Sequence, residues 1–273
     1  MRIFIDSADL DEIKQVYQWS IADGVTTNPS LMKKAVDKRK KYGEKINLQS
    51  YLTQILKIAK GTPVSLEVTE TNAKGMIKQG KKLYQLFNKV AKNVYIKIPV
   101  NPAFKDEDPT HFDGIIAIKE LAKENIPVNC TLIFTPEQAL LAAKAGATFV
   151  SPFAGRVDDY IRKKNNIKFE KTENYPAEGV EKKGNFMQDN GIVSGINLVE
   201  ECVHVLKSYG LKTEVLAASL RNPQQVREAA LVGADIATLP FEVIKKMLKH
   251  PKTYEGMQKF TEDIVQEYVK ITK

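Results

Sequence analysis

The chain has 273 residues, 43% hydrophobic and 27% charged, which excludes disorder, collagen-like repeats and a coiled coil. Lysine and arginine number 41 against 33 aspartate and glutamate, and the resulting net charge of +8 fits nucleic acid, anionic small molecules or a lysine-rich solvated surface. Two cysteines, Cys130 and Cys202, cannot staple such a chain and point to a reducing compartment, and no run of about 18 apolar residues offers a membrane span.

At the N-terminus a short apolar run, residues 2–5, meets Asp6, Asp9, Asp11 and Glu12 at once, so no signal peptide is expected. That run reads as a strand, and residues 9–19 show helical spacing through Leu10, Ile13, Val16 and Tyr17. Residues 24–27 form a second strand-like piece ended by Asn28-Pro29, and two helical segments follow near 31–36 and 48–59. A third strand is expected at 63–68, then a long helix over about 72–91, then strands at 94–99 and 128–134. Runs at 149–153, 214–219 and 236–239 complete a set of eight, each followed by a helical pattern. The runs are rich in Val, Ile, Leu and Thr with little strict alternation, as parallel strands buried on both faces require. Eight strand–helix units without a linker predict an α/β fold, a single-domain (β/α)₈ barrel over residues 1–273, in preference to a doubly wound sheet. Two polar stretches interrupt the rhythm, at about 101–112 and 157–190, and are open to two readings, as lids over a site or as surface insertions.

Function in such a barrel sits at the C-terminal ends of the strands. Those ends carry Asp6, Thr27, Asn28, Glu67, Lys97, Asn129, Thr131, Ser151, Ser219 and Arg221, polar groups beside apolar runs that need one another as partners. In 94–99 Tyr95, Lys97 and Pro99 share one face of the strand. An amine inside a barrel loses solvation and becomes a nucleophile suited to imine formation with a carbonyl substrate; a lysine at a fraying strand end is the other reading. Asp6 and Glu67 read either as proton carriers for imine chemistry or as structural partners and caps. Arg156 and Arg221, after the sixth and seventh strands, read as phosphate ligands or as surface ion pairs. Residues 75–82 imitate a P-loop, but Lys82 stands where a Mg²⁺-binding hydroxyl belongs and the segment is helical in pattern. His111, His204 and His250 are scattered without ligand spacing, so no metal is expected, and the basic stretch 33–45 reads as a solvated helix face.

These motifs resemble those of the transaldolase family, class I Schiff-base aldolases on a (β/α)₈ barrel, in the branch of short transaldolases and fructose-6-phosphate aldolases. The resemblance spans nearly the whole chain. It rests on Phe4-Ile5-Asp6-Ser7-Ala8, Gly24-Val25-Thr26-Thr27-Asn28-Pro29-Ser30, Ile96-Lys97-Ile98-Pro99, Asn129-Cys130-Thr131-Leu132-Ile133-Phe134, Ser151-Pro152-Phe153-Ala154-Gly155-Arg156 and Ala217-Ala218-Ser219-Leu220-Arg221-Asn222, in that order. It implies that Lys97 forms the Schiff base, that Asp6 handles a substrate-hydroxyl proton, and that Glu67 and Thr131 hold a catalytic water. It further implies that Asn28, Asn129 and Ser151, with Thr27 and Phe153 beside them, contact the dihydroxyacetone portion, and that Arg156, Ser219 and Arg221 bind phosphate.

Fructose-6-phosphate aldolases resemble this branch but carry Gln at the position of Glu67 and Tyr at that of Phe153. Both residues here therefore favour transfer of the three-carbon unit, in the non-oxidative pentose phosphate pathway, over its release as free dihydroxyacetone. The chain departs from the pattern at Asn101, where a threonine is common, and in the two polar stretches. The expectation is a cofactor-free cytoplasmic enzyme acting on sugar phosphates and assembling as a homo-oligomer, with no nucleic-acid or membrane partner. Its alternatives are a fructose-6-phosphate aldolase and a non-catalytic barrel that binds phosphorylated ligands or RNA.

Overall fold

The eight apolar runs become eight parallel strands that close on one another. A computed structural model describes residues 1–271. The first half of the chain contributes β1 (Arg2–Asp6), α1 (Leu10–Gln18), β2 (Gly24–Thr26), α2 (Pro29–Lys41), α3 (Leu48–Ile58), β3 (Val64–Glu67), α4 (Ala73–Ala91), β4 (Val94–Pro99) and α5 (Asp113–Lys123). The middle contributes β5 (Val128–Ile133), α6 (Pro136–Ala145), β6 (Phe149–Pro152), α7 (Ala154–Lys164), a small antiparallel hairpin of β7 (Glu181–Lys182) and β8 (Asn185–Phe186), and α8 (Gly195–Ser208). The chain ends with β9 (Glu214–Ala217), α9 (Pro223–Leu231), β10 (Ile236–Leu239), α10 (Phe241–Lys246), α11 (Pro251–Glu262) and α12 (Gln266–Ile271). The closed order is β1-β10-β9-β6-β5-β4-β3-β2, a (β/α)₈ barrel.

Period-two alternation decides which residues face the barrel axis. Phe4, Phe149, Leu216 and Ile236 meet inside the barrel with Tyr95 against them, whereas Ile5, Val64, Ile96, Ile98 and Val150 point outward under the helices. Phe149 stacks on Tyr95 at 4.9 Å between centroids and meets Phe4 edge-on at 6.0 Å. Beneath them the Arg2 guanidinium lies over both phenylalanine rings and pairs with Glu214 at 2.5 Å, so the N-terminal end of the barrel is plugged. Gly24 belongs to this floor, because a Cβ there would stand 2.6 Å from the Phe4 ring. Two residues further along the strands the inward face turns polar, except beyond β9, where Ala218 follows Leu216, and the cavity opens there.

The Asn-Pro pairs have a local cause. Asn28 and Asn222 accept from the backbone N–H of Leu31 and Gln225, each at 2.9 Å, and the proline after each enters the first helical turn, where its missing N–H costs nothing. Asn28-Pro29 thus starts a helix two residues after β2 ends, whereas Asn222-Pro223 starts α9 after a five-residue loop from β9.

Of the polar stretches, 101–112 lies between β4 and α5 as turns and coil, whereas 157–190 begins as helix. The 157–164 part continues α7. Its inward face places Asp158 and Arg162 one turn apart beside Val157 and Ile161, so half of the buried stripe is charged and the composition hides the helical period. Asp158 joins three helices, accepting from Gly195 N–H at 2.7 Å and from Gln225 Nε2 at 2.8 Å, and burial pushes its carboxyl up to about 7. At the other end, α11 and α12 bury none of their residues, and among the described residues no helix is long and apolar enough to cross a membrane.

Candidate active site

At the C-terminal mouth lies a cavity of about 250 Å³. Asp6, Asn28, Lys97, Ser151, Phe153, Arg156, Ser219 and Arg221, all expected from the sequence, line it. Register brings its central pair together: Glu67 on β3 is the direct neighbour of Lys97 on β4, which in turn faces Asn129 on β5. Lys97 Nζ stands 3.1 Å from Glu67 Oε2 and donates to the Thr27 carbonyl at 3.2 Å. The Lys97 side chain is 6% exposed and that of Glu67 15%, so the ammonium is sequestered with one carboxylate and one carbonyl as its partners. The lysine is therefore inside the barrel, not at a fraying edge.

Across the cavity Asp6 ends β1. The Thr26 hydroxyl donates to Asp6 Oδ1 at 2.7 Å, which commits its only proton, so Thr238, 2.5 Å from Thr26, donates to Thr26 in turn. Desolvation raises the Asp6 carboxyl above its ordinary value, against the opposing pull of Lys97, the Thr26 hydrogen bond and Arg156. Below the pair, Ser151 donates to Asn129 Oδ1 at 2.7 Å and Asn129 Nδ2 to Ser65 Oγ at 3.0 Å, a buried chain that crosses three strands and fixes the amide orientation. Asn129 lies behind the cavity wall rather than on it, and Thr27 spends its hydroxyl on the Ser65 carbonyl at 2.7 Å. Thr131, buried on β5, has a hydroxyl with no hydrogen-bond partner among the described residues. A buried hydroxyl in that state is costly unless a water or substrate group answers it.

The opposite wall is cationic. Arg156 lies 5.0 Å over the Phe153 ring, in the first turn of α7, whose N-terminus has no side-chain cap. Ser219, at φ 63°, turns its loop toward that turn. Gly155 makes the approach possible, because a Cβ there would meet the Ser219 carbonyl at 2.3 Å. Arg221 donates from Nε to the Ser219 carbonyl at 3.0 Å and pairs with Asp159 at 2.9 Å. Two guanidiniums and a hydroxyl gathered at the first turn of α7 can together hold a tetrahedral dianion.

Sequence reasoning missed Thr26, Thr238, Ser65 and Lys171. Alternation could have found the threonines: Thr238 pairs in register with Phe4, and Thr26 with Asp6 itself. Lys171, by contrast, reaches the cavity from the 157–190 stretch, whose composition carries no positional signal.

A family model described as transaldolase/fructose-6-phosphate aldolase matches residues 3–272. The chain belongs to this family. A probable transaldolase of Thermoplasma acidophilum is 41% identical over 263 residues, covering 96% of this chain and 95% of that one. Probable transaldolases of Desulfatibacillum aliphaticivorans and Nitrosopumilus maritimus are each 42% identical, covering 96% of this chain and 97% and 94% of theirs. The motifs that carried the resemblance lie at the strand ends of the barrel, and five of the six supply residues of the cavity wall, the exception being the block at 129–134.

Proposed function

We propose that the chain is a transaldolase. It moves a dihydroxyacetone unit from sedoheptulose 7-phosphate or fructose 6-phosphate to glyceraldehyde 3-phosphate or erythrose 4-phosphate, a step of the non-oxidative pentose phosphate pathway. The observation that carries the reading is the sequestered Lys97–Glu67 pair, whose lysine shares one cavity with Asp6 and a cationic far end. Phosphate binding alone would not require the pair or the carboxylate opposite it.

In the proposed sequence Glu67 takes a proton from the Lys97 ammonium, and the free amine attacks the ketose carbonyl carbon. Protons then pass to the carbinolamine oxygen through a water held by Glu67 and the unpartnered Thr131 hydroxyl, and water leaves with formation of a protonated imine. Asp6 takes the proton of the substrate hydroxyl as the carbon–carbon bond breaks, and the bond electrons flow to the iminium nitrogen to leave an enamine. The aldose phosphate departs. The acceptor aldehyde reverses these steps, with Asp6 returning its proton and water releasing Lys97. Ser151 and the Asn28 amide nitrogen, whose Oδ1 is committed to the α2 cap, hydrogen-bond the three-carbon unit.

Phe153 has no hydroxyl to protonate the enamine, and Glu67 keeps the water on the imine side, so the enamine waits for an acceptor. With fructose 6-phosphate alone, free dihydroxyacetone is expected only in trace; with erythrose 4-phosphate added, sedoheptulose 7-phosphate accumulates. Rapid release of dihydroxyacetone without acceptor would make the protein a fructose-6-phosphate aldolase instead. The Glu67→Gln, Phe153→Tyr double substitution is expected to move the ratio of release to transfer about tenfold or more toward release, because each tenfold requires only about 1.4 kcal/mol.

The proposal includes a cytoplasmic homo-oligomer. Tyr254, Met257, Phe260 and Tyr268 stand exposed along α11 and α12, the kind of apolar surface that supports association, and Cys130 and Cys202 are buried free thiols.

A further inference from the structure

The stretch between α7 and α8 is built onto the barrel mouth at several points. Arg162 is 6% exposed, donates to the Asn174 carbonyl at 2.7 Å, and is sandwiched between the rings of Phe169 and Tyr175 at 4.9 Å each. Ser194, the cap of α8, donates to the Ala177 carbonyl at 2.5 Å. Between these anchors the backbone crosses the loop after β9: Arg221 donates to the Lys171 carbonyl at 3.3 Å and Asn222 to the Thr172 carbonyl at 3.4 Å. The residue at the crossing is Lys171. It lines the active-site cavity and also a neighbouring cleft of about 530 Å³, and both spaces share Arg156 and Arg221 with it.

Charge gives that position its meaning. Arg221 is neutralised by Asp159, whereas neither Arg156 nor Lys171 has a carboxylate partner among the described residues. Three cations against one carboxylate leave two positive charges around the far end of the cavity, which matches a phosphate dianion. Arg156 alone would leave one charge of such a group unanswered.

We propose that Lys171 is a further substrate-binding residue, the strap-borne cation that completes the phosphate end of the cavity and sets the preference for phosphorylated over unphosphorylated donors. This rests on the proposed function, with the donor's phosphate held at the cationic far end of the cavity by Arg156, Ser219 and Arg221. The strap contributes twice, by its backbone and by its side chain. Its carbonyl at Lys171 orients the Arg221 guanidinium, and the Lys171 ammonium supplies the remaining charge as a flexible point donor. A substitution at Lys171 removes only the second contribution, since the carbonyl stays.

Inorganic phosphate is titrated calorimetrically into the parent and into Lys171→Ala, Lys171→Glu, Lys171→Arg and Arg156→Ala. Michaelis constants are measured for fructose 6-phosphate and for fructose as donors. The loss of one partly solvated charge-assisted contact is expected to weaken phosphate binding about 5- to 10-fold in Lys171→Ala. Lys171→Glu loses more, Lys171→Arg binds as the parent, and the preference for fructose 6-phosphate over fructose falls by the same factor as phosphate affinity. Parent-like phosphate binding in Lys171→Ala and Lys171→Glu, with binding lost in Arg156→Ala, would overturn the role of Lys171 and leave the phosphate end standing. Parent-like binding in all variants, Arg156→Ala included, would remove the phosphate end itself and Lys171 with it. The side chain is exposed, so thermal unfolding of the three Lys171 variants is expected to match the parent.

Discussion

Lys97→Ala is expected to lower transaldolase turnover by about 10⁴-fold or more, since Lys171, the other amine lining the cavity, belongs to its cationic far end and the remaining groups act only on an imine that no longer forms. The same change strips Glu67 of its cation while the carboxylate stays mostly buried. Leaving one member of such a pair uncompensated costs on the order of 1–3 kcal/mol. Turnover assays and thermal unfolding of one preparation separate the two effects, because a few degrees of lost melting temperature cannot account for four decades of rate. Turnover within tenfold of the parent would remove Lys97 from the chemistry.

The second large effect is expected at Asp6. Asp6→Asn keeps the shape and can still accept from the Thr26 hydroxyl, but it cannot take the substrate-hydroxyl proton, and a loss of about 10²- to 10⁴-fold in kcat/KM follows. The pH profile tests the assignment independently of magnitude. The base must be ionised, and desolvation raises its carboxyl above the ordinary value, so activity is present above the raised pKa and is lost as pH falls through it. The acid limb of kcat/KM in the parent is therefore expected above the usual carboxylate range of about 4. In Asp6→Asn that limb disappears along with the rate. An unchanged acid limb in the variant would assign the limb to another group and leave Asp6 with a structural part only.

The barrel and the centre of its site were legible because both are written in local periodicities. Eight apolar runs at strand length, each followed by a helical pattern, specify a parallel barrel, and within 94–99 alternation alone aligns Lys97 with Tyr95 on the inward face. The structure adds what register supplies: Glu67 next to Lys97, and Thr26 and Thr238 in a relay to Asp6. Alternation shows which residues point inward, but not which strand lies opposite which, and that second fact makes a polar residue a partner.

The region after β6 was less legible for a different reason. The buried face of α7 is built partly from Asp158 and Arg162, whose charges are answered by groups far along the chain, Gly195 and Gln225 for one and the carbonyl of Asn174 for the other. A helix stabilised that way leaves only part of an apolar stripe to read. Lys171 follows from the same architecture. Its place at the cavity depends on where the strap is tied down, and each tie is a long-range hydrogen bond rather than a pattern. The net charge of +8 gains focus here as well, since the cations that bear on the proposed substrate are Lys97, Arg156, Lys171 and Arg221, while lysines such as Lys33 and Lys38 pair with Asp37 and Asp9 at the surface.

Reduction of the enzyme–substrate mixture tests the central chemistry most directly. The protein is incubated with fructose 6-phosphate, treated with borohydride, digested and mapped by mass. A reduced dihydroxyacetone adduct on Lys97, in the peptide containing Val94–Pro99 and on no other lysine, is the predicted result. No adduct, or an adduct on a different lysine with Lys97 unmodified, would contradict it.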